Sequence, residues 1–513
     1  MTIYSYFNNA WKHLKGIFQQ PSVEQSKNLA YELEESKEAY KSKSCKQSQL
    51  SSAKGEEEFN SRALRLILKK TKIYSLFEKY VSDPRSRISS IIYSIPSILM
   101  HALSLLILRQ PSKNALHDAE LLSPYLKENL SKLIRAPSTP CPKTVEDVML
   151  KLDVSELESI LPLLFRTLLR GKFFELHSEF MPESDQTHHF AIGIDAEITH
   201  VYHDLNQHPV SSCSYCLKRT RGETSWYVHC DVSLCIIGRK GFIFPLFLYR
   251  VKANHAWEMK GDEEFKQQCE LSALPYLLES FRHYFPKLKA DLLLDSLYAQ
   301  GTTMNLCEQF KLGYMIIRKS GSLKSLNSNI EGLKKLQSPQ KRQYRDGRWN
   351  KEQTAFSFSD LSHREHVFTL IDLEEKCTKL PSKRFAKVRE KSSHWQWITN
   401  LAVKVDQIFN AIHKGRLRWS QEDFFNSLEN RGFNFRHDFS RSPHSQTIWR
   451  LLTFIAFALS SLMQLSILGH LSRRGCSIIN WIKAIFGELG YLSPDQLWQS
   501  PLPKQLRFWN DSS

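Results

Sequence analysis

Residues 190–318 alternate short β-branched and aromatic runs with helical stretches, and this order restricts the fold more than any other feature of the chain. "FAIGIDAEITHVY" (190–202), "SWYVHCDVSLCII" (225–237) and "GFIFPLFLYRVK" (241–252) are separated by turn-forming residues and have strand composition. A helical segment, "DEEFKQQCELSALPYLLESFRHYF" (262–285), comes next, then the strand "ADLLLDSL", the short helix "TMNLCEQFKLG" and the strand "YMIIRK". Three strands, a helix, a strand, a helix and a strand predict an α/β fold in which helices flank a mixed sheet.

Two of these apolar runs end in a carboxylate, "AIGID" at Asp195 and "LLLD" at Asp295. Aspartate is common where a strand turns, because it bonds its own backbone. Two of them at strand tips form a different pattern, since ligands of open α/β sheets sit outside strand ends. Converging carboxylates repel each other unless hard cations such as Mg²⁺ bridge them. Asp291 lies at the start of its strand and is set aside. A further ligand would come from another element, and "GRLRWSQEDFFNSLENRGFNFRHDF" (415–439) offers Glu422 and Glu429. They are seven apart on a predicted helix, hence on one face, with Phe425 and Leu428 marking its apolar side. An amphipathic surface helix is the plainer reading of this segment alone.

The flanks are helical. Residues 18–60 are polar and read as a flexible or solvated linker. From 61 to 185 the pattern is helical throughout, and Thr144 three residues before Asp147 has capping-box spacing for a helix start. After 320 regularity breaks down until "HWQWITNLAV" (394–403), and the chain is helical again to about 485. The expected organisation is an N-terminal segment and linker (1–60), an all-helical region (61–185), a first catalytic part (186–320), a basic insertion (321–393), a second catalytic part (394–485) and a tail (486–513). The 513 residues carry a formal net charge of +17. Residues 296–421 contribute +12 of it, from 23 Lys/Arg against 11 Asp/Glu. Such a segment suits a polyanionic partner, and a solvated insertion is the plain alternative.

These residues resemble a known family. "SDPR" (82–85) with "RQPS" (109–112), "IDAEITH" (194–200), "CSYCLKR" with "YVHC" and "KQQCELSA", "DSLYAQ" (295–300) and "RWSQEDFFNSLENRGFNFRHDFSR" are similar to segments of bacterial insertion-sequence transposases of the DDE class, in the IS-four group. The resemblance runs from about residue 80 to 470. It implies a ribonuclease H-like mixed sheet with flanking helices, preceded by an all-helical N-terminal region and carrying a basic insertion between the second Asp and the Glu. It implies Asp195, Asp295 and Glu422 as catalytic residues and ligands of two Mg²⁺ ions, with Mn²⁺ as a substitute. Its implied partners are double-stranded DNA, as terminal inverted repeats and target, and a second copy of the chain on paired ends. Lys319, Lys324, Arg416, Arg418, Trp419, Arg436 and His437 would then contact DNA. Three positions depart from the family. Ala196-Glu197 stands where it has Gly-Thr, one residue is missing between Glu422 and Phe425, and Glu429 stands where it has lysine. Glu429 is thus a second candidate for the third acid, and a decayed copy that only binds DNA is the alternative function.

The remaining signals are weaker. Cys213-x-x-Cys216 with His229 and Cys230 has part of a zinc spacing, but there is one CxxC and the second pair is adjacent, so structural thiols are expected rather than zinc. The opening "MTIYSYFNNAWKHLKG" lacks a secretory pattern, and a cytoplasmic, nucleoid-associated protein is expected. The apolar stretches 88–108 and 451–471 are long enough to span a bilayer, yet their Ser, Pro, His and Gln content favours buried core helices over membrane spans. No Gly-rich phosphate loop, nucleophile elbow or dinucleotide fingerprint is present.

Overall fold

The computed structural model describes residues 60–86, 91–171, 189–202, 213–221, 224–238, 242–252, 262–319, 321–379, 389–473 and 476–503. The polar segment 18–59 and residues 504–513 lie outside them. The chain from Asn60 onward forms one unit. Its centre is a ten-stranded mixed sheet. The strands are β1 (Phe190–Tyr202), β2 (Leu217–Arg221), β3 (Thr224–Ile237), β4 (Ile243–Arg250), β5 (Ala290–Leu294), β6 (Gly313–Arg318), β7 (Gln340–Asp346), β8 (Trp349–His363), β9 (His366–Lys379) and β10 (Arg389–Thr399).

They lie in the order β2-β3-β1-β5-β6-β10-β9-β8-β7, with β4 also on β3. β3 runs antiparallel to β1, β2 and β4, whereas β1, β5 and β6 are mutually parallel. β10 returns antiparallel to β6, and β9, β8 and β7 continue antiparallel outward. Side chains alternate between the two faces with period two. Ala191, Leu293, Met315 and Trp397 therefore share one face, covered by Ile408 and Ile412 of the helix Ile408–Arg416. Ile192, Ile194, Leu292, Leu294 and Ile316 point the other way, into the larger core with the helices Ile160–Arg170, Asp262–Tyr284 and Pro443–Leu465. The mixed α/β architecture and the helical N-terminal region agree with the sequence reading.

Three local expectations need correction. The first strand does not stop at Asp195. It continues to Tyr202 because residues 196–202 pair with β3, across an irregularity between Ile198 and His200. The described residues of 321–393 are not irregular either, since they hold the helix Leu326–Leu336, β7, β8, β9 and the start of β10. β7 is a polar edge strand, so burial leaves almost no apolar alternation in it; its register is set by the turn at Gly347 (φ 58°), where Asp346 pairs with Trp349. Thr144 is not a helix cap. Pro142 opens the helix Pro142–Met149 after Cys141, and its fixed φ suits the first helical position.

The helices before β1 share a core with those after residue 443. The Glu488 carboxylate accepts from the backbone amides of Asn60 (2.9 Å) and Ser61 (2.8 Å). Asn129 donates to the carbonyls of Leu489 and Leu492, both at 2.9 Å. The helix Ile95–Ile107 is buried along all 13 residues, and at 1.5 Å per residue it spans ~20 Å, short of a ~30 Å hydrocarbon layer. Pro443–Leu465 is long and apolar enough to cross a membrane, yet 89% of its most apolar stretch is buried inside the protein. The apolar run 451–471 is broken at Ser466, whose hydroxyl caps the next helix at Gly469 (3.0 Å).

Candidate functional site

The parallel register of β1 and β5 runs from Phe190 opposite Ala290 to Gly193 opposite Leu293. Carried one pleat further, it sets Asp195 level with Asp295 on adjacent strands. β5 ends there because the Asp295 carboxylate accepts the Leu297 amide (2.8 Å) and opens the turn Ser296–Tyr298. The strand-to-turn role and the strand-tip position are thus both true of Asp295. Asp195 is buried within β1 and also accepts its own neighbour's amide, from Ala196, at 2.9 Å. Tyr298 lies close by, fully buried. Burial first, then the carboxylates of Glu270, Asp295 and Asp195, hold its hydroxyl protonated well above the usual phenol range.

Gly193 and Asp195 share a face of β1, and the helix Ser420–Asn430 packs on that face. A Cβ at Gly193 would meet Ile237 Cδ1 at 2.7 Å and Gln421 Oε1 at 2.9 Å, so glycine is what lets helix and strand approach. Gln421, fully buried, donates to Ser233 Oγ (2.7 Å) and Cys235 Sγ (3.2 Å). Ser233 is the residue opposite Asp195 in β3. Burial pushes the Cys235 thiol up to about 12, with Asp195 adding to the rise. Sequence reading missed Gln421, although it adjoins Glu422, because only packing decides which helix face meets the sheet.

Glu422 points outward. Its side chain is 55% exposed and accepts from Arg418 one turn earlier (2.6 Å). Glu429 is bound by Arg436 (2.6 Å), which also reaches Glu197 (3.2 Å), two residues beyond Asp195 on the same strand. Among the described residues, the only three metal-binding side chains whose donor atoms all lie within 4.8 Å are Cys213, Cys216 and His229. The three expected carboxylates are therefore not drawn together as one ligand set. Asp195 and Asp295 fit two positions of a hard-cation site by donor type and register, and the third ligand is not in place.

The expected phosphate contacts fall into two groups. Lys319 and Lys324 are exposed. Arg416 is instead paired with the buried Glu375 at 3.0 Å, and Arg418 with Glu422. Trp419 meets Trp395 edge-on, with ring centroids 4.9 Å apart. Arg436 bridges two carboxylates, and the His437 ring stands edge-on to Phe439 (4.9 Å). Asp291 lies at the opposite end of β5, fully buried, bound to His189 Nδ1 (2.9 Å) and to Lys414, as an internal ion pair of the fold. A second such pair joins Asp231 to Arg250 at 2.8 and 3.0 Å, and Arg250 also reaches Thr447 (3.2 Å).

No family model matches the chain, and no curated protein is similar to it at a significant level.

Proposed function

We propose that the chain is a DDE-type transposase that binds transposon ends and catalyses metal-dependent cleavage and strand transfer of DNA. The observation that carries this reading is the register of β1 and β5, which brings Asp195 level with Asp295 on the face covered by the Glu422 helix. The sheet supports it. Along β4-β3-β1-β5-β6 the pairing is antiparallel twice and then parallel twice, the arrangement a ribonuclease H-like core would have. β7 to β10 extend this core as the basic insertion between the second aspartate and the glutamate.

Bound Mg²⁺ or Mn²⁺ would supply activation of the attacking oxygen and stabilisation of the leaving one. Asp195 and Asp295 would hold the ions. Lys319 and Lys324 would take phosphates of double-stranded DNA, which position a duplex without reading its sequence. The protein would act in the cytoplasm on the nucleoid, as a homodimer on paired ends.

A second reading, a decayed copy that binds DNA without cutting it, is favoured by one specific observation: Glu422 is turned to Arg418 and Glu429 to Arg436. One experiment separates the two. The full chain is incubated with DNA carrying the boundaries of its own locus, in Mg²⁺ and in Mn²⁺, beside Asp195→Asn and Asp295→Asn. The first reading expects nicking by wild type, loss of it to background in both variants, and DNA binding retained by all three. Binding without nicking by wild type in either metal establishes the second reading. Nicking that survives Asp295→Asn overturns the assignment of the site.

A further inference from the structure

Away from the carboxylates, the turn Cys213–Cys216 leads directly into β2, and β2 pairs with β3 so that Leu217 faces Val228. This brings both thiols to the imidazole of the next residue along β3. His229 Nε2 lies 3.3 Å from Cys213 Sγ and 3.3 Å from Cys216 Sγ. All three donor atoms fall within 4.8 Å of one another, and all three residues are buried. Cys230 takes no part. Alternation along β3 turns it to the opposite face, where Cys269 sits in the larger core.

We propose that Cys213, Cys216 and His229 bind a thiophilic divalent cation, zinc, in a structural site. The donor set is the kind zinc selects, two thiolates and one neutral imidazole from a Cys-x-x-Cys turn and an adjacent strand. The spacing agrees with it. Zn–S near 2.3 Å and Zn–N near 2.05 Å at tetrahedral angles separate S from N by ~3.6 Å, close to the 3.3 Å between each sulfur and the ring nitrogen. Chance packing of buried thiols gives no reason for both sulfurs to meet the same ring nitrogen. Three ligands leave the fourth tetrahedral position to a group that the described residues do not supply. The proposal is independent of the transposase reading, because the site lies roughly 13 Å along β3 from Ser233, the residue opposite Asp195. Its function is to fasten the edge strand β2, only five residues long, and the turn before it to β3. His229 stands two residues from Asp231, so the ion would also brace the strand that carries the Asp231–Arg250 pair.

The test uses the full chain, purified without chelator and without metal-affinity resin. Elemental analysis is expected to find about one zinc per chain, retained on dialysis and released when a mercurial titrates the thiols. Cys213→Ser and His229→Ala are expected to lose it, whereas Cys235→Ser, a buried thiol outside the cluster, keeps it. Wild type stripped of metal and refilled with Co²⁺ should show thiolate-to-cobalt charge transfer and tetrahedral ligand-field bands. This second readout needs no variant and holds if the substituted chains do not fold. Wild type that carries no zinc and gives no such cobalt spectrum overturns the proposal. So does zinc that persists in the Cys213→Ser/Cys216→Ser double variant, and so does recovery of Cys213 and Cys216 as a disulfide from reducing buffer.

Discussion

Asp231 has no exposed surface, and Arg250 holds both of its oxygens. Burial by itself would raise its pKa, but Arg250 outweighs this and holds the carboxyl at about 2, below the ordinary 3.8. A carboxyl depressed on folding stabilises the native state above its unfolded value and loses that contribution as pH falls through the folded one. The acid limb of wild-type stability between pH 4 and pH 2 is therefore expected to be steeper than that of Asp231→Asn, measured by urea unfolding across that range. Arg250→Met should cost ~3–5 kcal/mol at pH 7, because it strands a buried charge. The acids of the candidate site follow different rules. Asp295 was legible in the sequence because a strand-ending aspartate bonds its own backbone and so fixes its own place. Glu422 was not, because a helical residue's direction depends on what its neighbours bury, and here Gln421 is the one turned to the sheet. If cleavage is observed, Glu429→Gln should abolish it should that residue be the third acid, and Glu422→Gln should leave it within about threefold; the reverse pattern returns the role to Glu422.

At the scale of elements, the contact between β1 and the helix Ser420–Asn430 decides whether the late acids reach Asp195. Gly193 is what permits it. The added methyl of Gly193→Ala would sit 2.7 Å from Ile237 and 2.9 Å from Gln421, so one of them must move. Overpacking of this kind costs ~1–3 kcal/mol. Thermal unfolding should show that loss, and faster amide exchange is expected in residues 420–430 than in the distant helix Ile95–Ile107. Uniform destabilisation of both helices would mean that Gly193 does not govern this contact. The strands of the basic segment show where sequence reading ran short. β7, "QKRQYRD", is polar on both faces but for Tyr344 and so has no apolar-polar alternation, since it borders solvent. Its signal was Gly347, the first residue of the two-residue loop Gly347-Arg348, a hairpin turn that predicts its two flanking strands without any hydrophobic pattern. β1, β3, β4, β5 and β6 were legible for the opposite reason, as those strands are buried and their composition records it, whereas the polar edge strand β2, "LKRTR", was not read.

Over the unit from Asn60 onward, helices before β1 and helices after residue 443 close on each other through Glu488, Asn129 and a common core. Nothing local in the sequence announces that union, because each helix records an apolar face and not its partner. The charge is distributed more informatively. Of the cations expected to meet DNA, the internal ones are already engaged, Arg416 by Glu375 and Arg418 by Glu422, while Lys319 and Lys324 are exposed. A cation that neutralises a phosphate releases counterions, so each such contact adds ~0.9 to the slope of log K against log salt for duplex DNA. Lys319→Ala and Lys324→Ala are each expected to lower that slope by about 1, weaken binding across sequences alike, and leave unfolding unchanged. Arg416→Ala should do the opposite, leaving the slope unchanged and costing ~1–3 kcal/mol of stability, because it removes the cation facing a buried carboxylate. Fluorescence anisotropy of a labelled duplex over a salt series, run beside urea unfolding, measures both quantities for all three variants. If Arg416→Ala instead lowers the slope and spares stability, the Glu375 pair gives way to DNA on binding, and the basic surface extends inward to the helix that precedes Glu422.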